Sequence, residues 1–199
     1  MLMRTPTKNN EHQQKDWTYE LRDFRTKATL WMRHFPQESP SFAWAPDYKE
    51  VLMGWSVSSG AARDELKRFP ELKGSLEKED MLYELIDIKT DSVVGKLLVK
   101  TNKYSFWVQS ARVDGDWVAL QVSGDRVLVY SLASGKEMGH VFGQAPVISS
   151  AGGVYAVSTG NGEVNTYSLA DSLLQRTYKV PVSIAYKKFS NDGKRLFLC

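Results

Sequence analysis

The chain has 199 residues, 42% of them apolar and 25% charged, with a formal net charge of +3. This composition supports a buried core and excludes an intrinsically disordered chain. The mixed charge, with no Lys/Arg run longer than a pair, argues against a nucleic-acid-binding face, and the single Cys199 cannot form an internal disulfide.

Residues 1–16 are polar, lack periodicity and lack the apolar run of a signal peptide, which predicts a disordered leader. No later stretch reaches the roughly 18 apolar residues of a membrane helix, so no membrane association is expected and the compartment stays open. From Tyr19, "YELRDFRTKATLWMRHF" reads as strand, polar turn, strand, and "FAWAPDYKEVLMGW" from Phe42 follows with a turn built on Pro46 and Asp47. Residues 58–80 change period: Ala62, Leu66 and Phe69 fall at helical spacing, and Leu72 and Leu76 continue the stripe. Ser58 or Ser59 is placed to cap this helix and Pro70 to end it, which predicts a helical insertion with its Lys, Arg and Glu residues outside.

After the insertion the first shape returns as "YELIDIKTDSVVGKLLV" from Tyr83, and residues 105–143 hold a complete set of four strands. There "SFWVQSARV" and "WVALQV" are separated by Asp114-Gly115-Asp116, and "RVLVYSL" and "MGHVFG" by Ala133-Ser134-Gly135-Lys136. Residues 146–180 repeat the plan, and "KFSNDGKRLFLC", residues 188–199, supplies a strand, a Gly turn and a second strand. Aligned on Asp23, Asp87, Ser131 and Ser168, the first shape recurs at spacings of 64, 44 and 37 residues. Discounting the insertion, a unit of four short strands recurs about every 40 residues, the signature of propeller blades.

"FSNDGKRLFL" and "VYSLASGKEM" resemble the turn segments of bacterial WD-repeat-like β-propeller proteins, and the resemblance covers residues 17–199. The Trp-Asp pair is replaced by Tyr130-Ser131 and Tyr167-Ser168, while Ile86-Asp87 keeps the Asp. Gly139-His140 stands 28 residues before Tyr167-Ser168, near the spacing that family uses for a structural hydrogen-bond network. The expected fold is all-β: three complete four-stranded blades of a β-propeller with half a blade at each end, and a short helical insertion. Rings of six to eight blades need roughly 240–320 residues, so further blades of a longer propeller are expected outside this chain.

Chemistry-bearing motifs are sparse. His12, His34 and His140 lie on separate segments without metal-ligand spacing. "GWSVSSG" lacks the second glycine of a nucleophile elbow. "VDGDW" and "STGNGE" are turns, without the alternating oxygen ligands of a calcium loop or the following helix of a dinucleotide site. Trp31, Trp44, Trp55, Trp107 and Trp117 are expected to pack between blades. No catalytic residue, cofactor or metal is therefore expected. The resemblance implies a non-catalytic platform for a protein or peptide, with Arg63, Lys67, Arg68 and Lys73 of the insertion as candidate contacts. The alternative is the gating or regulatory propeller of a larger enzyme, of the oligopeptidase or quinone-cofactor dehydrogenase kind, with its catalytic residues outside this chain.

Overall fold

A computed structural model of the chain describes residues 2–7, 16–35, 40–67, 70, 77, 80–101, 107–180 and 186–199. Its strands are β1 (Leu2–Thr7), β2 (Asp16–Arg22), β3 (Thr29–Phe35), β4 (Ser41–Trp44), β5 (Glu50–Ser56), β6 (Met81–Asp87), β7 (Ser92–Val99), β8 (Val108–Asp114) and β9 (Trp117–Val122). They continue with β10 (Arg126–Ser131), β11 (Lys136–Phe142), β12 (Gln144–Ser149), β13 (Val154–Ser158), β14 (Glu163–Ser168), β15 (Leu174–Lys179), β16 (Lys187–Phe189) and β17 (Leu196–Leu198). One helix, α1 (Gly60–Leu66), stands between β5 and β6. The architecture is all-β. Three four-stranded meanders, β4-β5-β6-β7, β8-β9-β10-β11 and β12-β13-β14-β15, are preceded in the chain by a three-stranded sheet β1-β2-β3 and followed by a hairpin β16-β17.

The repeat read from the sequence is a turn with one geometry. Asp23, Asp87, Ser131 and Ser168 each place a side-chain oxygen at the start of the turn between the last two strands of a sheet, where it accepts backbone N–H groups. Asp23 Oδ1 accepts from Arg25 N and Thr26 N, and Asp87 Oδ1 from Thr90 N. Ser131 Oγ accepts from Ser134 N, and Ser168 Oγ from Ala170 N. Four residues on, Lys27, Asp91, Gly135 and Ser172 all take positive φ, between 50° and 65°. The strand entering each turn carries a register shift at the same place, after Leu21, Leu85, Val129 and Thr166. An Asp or a Ser serves equally here because both are short oxygen acceptors that form Asx- or ST-turns. That is why the aligned position tolerates exchange.

The leader expected over residues 1–16 is corrected for Leu2–Thr7, which pair antiparallel with β2, from Leu2 opposite Leu21 to Thr7 opposite Asp16. The first sheet is thus three strands rather than half a blade. An exposed edge of β2 offers a row of unpaired N–H and C=O groups, and a strand satisfies them without apolar alternation of its own. Pro6 stands on an edge strand, the place to which proline is ordinarily confined within sheets. Residues 8–15 lie outside the described residues.

The chain divides into two compact units, residues 1–42 with 48–104 and residues 43–47 with 105–199. In the first, Tyr19, Phe35, Phe42 and Trp55 form an aromatic cluster, with Tyr19 and Phe42 centroids 4.4 Å apart and Phe35 edge-on to Phe42 at 6.0 Å. Trp31 Nε1 donates to Asp91 Oδ1 at 2.9 Å, tying β3 to the turn between β6 and β7. In the second unit, Val127, Val129 and Val141 of one sheet pack with Ile148, Tyr155 and Val157 of the next. The hairpin β16-β17 closes over Ala156 and Val164 with Phe189, Leu196 and Leu198.

The first turns of successive sheets in this second unit also interlock. Asp114, at the end of β8, accepts a hydrogen bond from Ser150 N, just past β12, at 2.7 Å. Gly152 and Gly193 approach so closely that a Cβ on Gly193 would lie 2.4 Å from Gly152 backbone. Gly193 has φ +68°, so both space and conformation require glycine at this position.

Candidate interaction surface

The helical insertion holds the candidate contacts. Ser59 Oγ accepts from Ala62 N at 3.0 Å, the bond of an N-cap residue to the third helical position. Ala62 and Leu66, spaced i and i+4, are both buried, and Leu66 packs on Val57 and Leu82. The excursion leaves and returns at one clasp: Val57 N donates to Asp80 O at 2.7 Å. The buried Asp80 carboxylate accepts from Glu77 N and from Lys100 Nζ, the latter at 2.6 Å.

Arg63 and Lys67 occupy the outer face of α1 and are exposed. Lys67 Nζ lies 2.7 Å from Asp64 Oδ1, and hydrogen bonding to Lys67 holds the Asp64 carboxyl below its usual range. Both groups are largely solvated, so the pair contributes little stability and leaves the ammonium accessible. Arg68 and Lys73 lie outside the described residues, as do Phe69, Leu72 and Leu76.

The other singled-out residues occupy varied settings. Trp31 and Trp55 are buried and Trp117 packs beside the Val127 cluster, but Trp107 is 67% exposed and does not pack between sheets as expected. Its carbonyl accepts from Ser123 N, which fixes the backbone while the ring stays in solvent. Ser58 Oγ bonds Ser56 Oγ at the end of β5. Gly139 and His140 separate in role. A Cβ at Gly139 would fall 2.2 Å from Ser172 Oγ, so the glycine permits close packing of β11 on the next turn. His140 sits on the solvent side of β11, its Nδ1 3.4 Å from Glu137 Oε1. His34 meets Thr18 across β2 and β3, and His12 is outside the described residues. Among the described residues no three His, Cys, Asp or Glu side chains gather in a metal-binding group. No helix among them is long and apolar enough to cross a membrane.

One residue escaped the sequence reading. Lys187 of β16 lies within "AYKKFS", which reads as a solvated charge pair, yet it is 6% exposed. Its only sequence signal is that it shares a strand face with Phe189 two residues on. Lys187 Nζ bonds Ser158 Oγ at the end of β13. Burial, and then the charge of Arg112 on β8, push its pKa below the usual lysine range.

No protein-family model matches the chain, and no curated protein does. Solved structures do resemble it. One is the β-propeller domain of Myceliophteria thermophila Cps50 (Swd1), with a TM-score of 0.54 and 12% identity. The match covers 91% of this chain and 55% of that one, so the chain spans about half the length of that propeller. With its consecutive four-stranded meanders, the chain has a β-propeller fold whose complete sheets are blades.

Proposed function

We propose that the chain is a non-catalytic β-propeller platform that binds a protein or peptide, and that the outer face of α1, with Arg63 and Lys67, is one of its contacts. The observation that carries this reading is the construction of the insertion. Its apolar face is spent on Val57 and Leu82, its ends are clasped at Asp80, and its cations point to solvent from a rigid base. A side chain held on a packed element loses less entropy on binding than one on a free loop. The fold alone does not assign an activity, because propellers host many functions.

The test is titration of a purified partner, identified by crosslinking to the chain, against wild type, an Arg63→Glu/Lys67→Glu double variant, and a chain in which a short Gly/Ser link replaces residues 58–79. Saturable 1:1 binding, weakened at least tenfold by the charge reversal and by the excision, supports the reading. Unchanged affinity in both removes the insertion as a contact. A chain that crosslinks to no protein or peptide, or that turns over a substrate by itself, overturns the platform.

A further inference from the structure

We propose that Lys187 and Arg112 form the cationic half of an oxyanion site on the inner strands of the second unit, one that takes a carboxylate or phosphate group. The site is independent of α1 and of the platform reading.

The geometry begins with strand alternation. Phe189 is buried against Ala156 and Val164, and Lys187, on the same face of β16, is carried into the same seam between sheets. There its ammonium, with three N–H donors, meets one acceptor among the described residues, the uncharged hydroxyl of Ser158. Arg112 approaches from β8, and β12 packs against both β8 and β16. Its guanidinium spends one N–H on the carbonyl of Ala111 at 2.8 Å and is otherwise exposed. No carboxylate among the described residues lies within ion-pair distance of either cation. Asp114, two residues beyond Arg112, is turned to Ser150 N.

A buried ammonium therefore stands without a counterion, and Arg112 acts on it as a second positive charge. A buried cation is ordinarily paired or displaced to solvent. Burial first, and the charge of Arg112 second, hold the Lys187 pKa below the usual lysine range. An oxyanion would supply the counterion. Its oxygens would accept from the free Lys187 donors, from the Ser158 hydroxyl and from the planar fork of Arg112, which suits carboxylate and phosphate alike.

The experiment is calorimetric titration of the full chain with inorganic phosphate and, separately, with succinate. A sodium chloride titration at equal ionic strength is the control. Wild type is compared with Arg112→Gln, Lys187→Met and the neighbouring exposed-cation control Lys188→Gln. The expected result is saturable binding of at least one oxyanion with millimolar or lower Kd and none with chloride. That binding is weakened at least fivefold by Arg112→Gln, lost in Lys187→Met and unchanged in Lys188→Gln. Phosphate without succinate assigns a phosphate group, and the reverse assigns a carboxylate. If Lys187→Met does not fold, as circular dichroism would report, the solvent-facing Arg112→Gln decides alone. Absence of saturable binding by both oxyanions, or binding that neither Arg112→Gln nor Lys187→Met alters, overturns the proposal.

Discussion

The sheets β8-β11 and β12-β15 share topology and turn geometry, yet their outermost strands differ in burial. In β11, Val141 pairs with Val127 and is buried against Ile148, Tyr155 and Leu169. In β15 the equivalent residue is Tyr178, which pairs with Val164 and is 36% exposed. Every residue of β15 is exposed. The difference lies in the neighbour. The sheet packed on β8-β11 has four strands, whereas the one packed on β12-β15 is the two-strand hairpin β16-β17, too narrow to reach the outer strand. In this chain the outer strand beside a four-stranded sheet buries Val141, and the one beside a two-stranded hairpin leaves Tyr178 partly exposed.

Substitutions in these two sheets test that comparison. Tyr155→Ala, at the centre of the packed seam, should cost about 3–5 kcal/mol in urea unfolding, as expected for a buried ring. Removal of this side chain at less than about 1 kcal/mol would mean the two sheets are not closely packed. Val141→Ala should cost about 2 kcal/mol by lost burial and a small cavity. Asp114→Ala should cost about 1–2 kcal/mol by leaving Ser150 N without its acceptor, while Asp114→Asn retains an acceptor and should be nearly neutral at pH 7.

The same pair of variants has a pH signature. Burial, partly offset by the Ser150 hydrogen bond, raises the Asp114 pKa in the folded state above 3.8. The folded state then holds its proton more tightly, so the stability from this group is fully present below pH 3.8 and is lost as pH rises through the raised value. Wild type should therefore gain on Asp114→Asn as pH falls from 7 to below 4, read as a narrowing or reversal of any Tm gap.

At the turn, Gly135→Ala should cost about 1 kcal/mol, because φ is +65° and alanine is strained there. Tyr178→Ala on β15 should change stability by about 0.5 kcal/mol or less. A loss from Tyr178→Ala equal to that from Val141→Ala would contradict the reading that only β11 is covered.

Much of this was legible in the sequence. Alternation of apolar residues placed the strands, and the Gly, Asn and Asp turns placed the reversals, because both signals are local. The recurrence of Asp23, Asp87, Ser131 and Ser168 marked a structural turn because a single oxygen acceptor suffices there. What stayed hidden depends on partners distant in the chain. Leu2–Thr7 becomes a strand because the edge of β2 supplies its hydrogen bonds, and nothing within the segment announces it. Trp107 looks like a core residue by composition, yet its ring stays in solvent. Lys187 reads as solvated beside Lys188, and its burial comes from the seam that receives Phe189. In the insertion, the i, i+4 pair Ala62 and Leu66 was readable, whereas the Asp80 clasp, a pairing of residues at the two ends of the excursion, was not.

The interlocked first turns have a consequence for how the second unit assembles. The hydrogen bond from Ser150 to Asp114 and the Gly152–Gly193 contact make each turn a docking point for the one that follows. Coupling of this nearest-neighbour kind behaves like a row of linked switches, in which each member steadies mainly those beside it. The hairpin β16-β17, held from one side in this unit, is then the member that opens first. Amide exchange should spread inward from Phe189 towards Tyr155, with protection highest along β13 and β14, the central strands of the sheet packed on both sides within this unit.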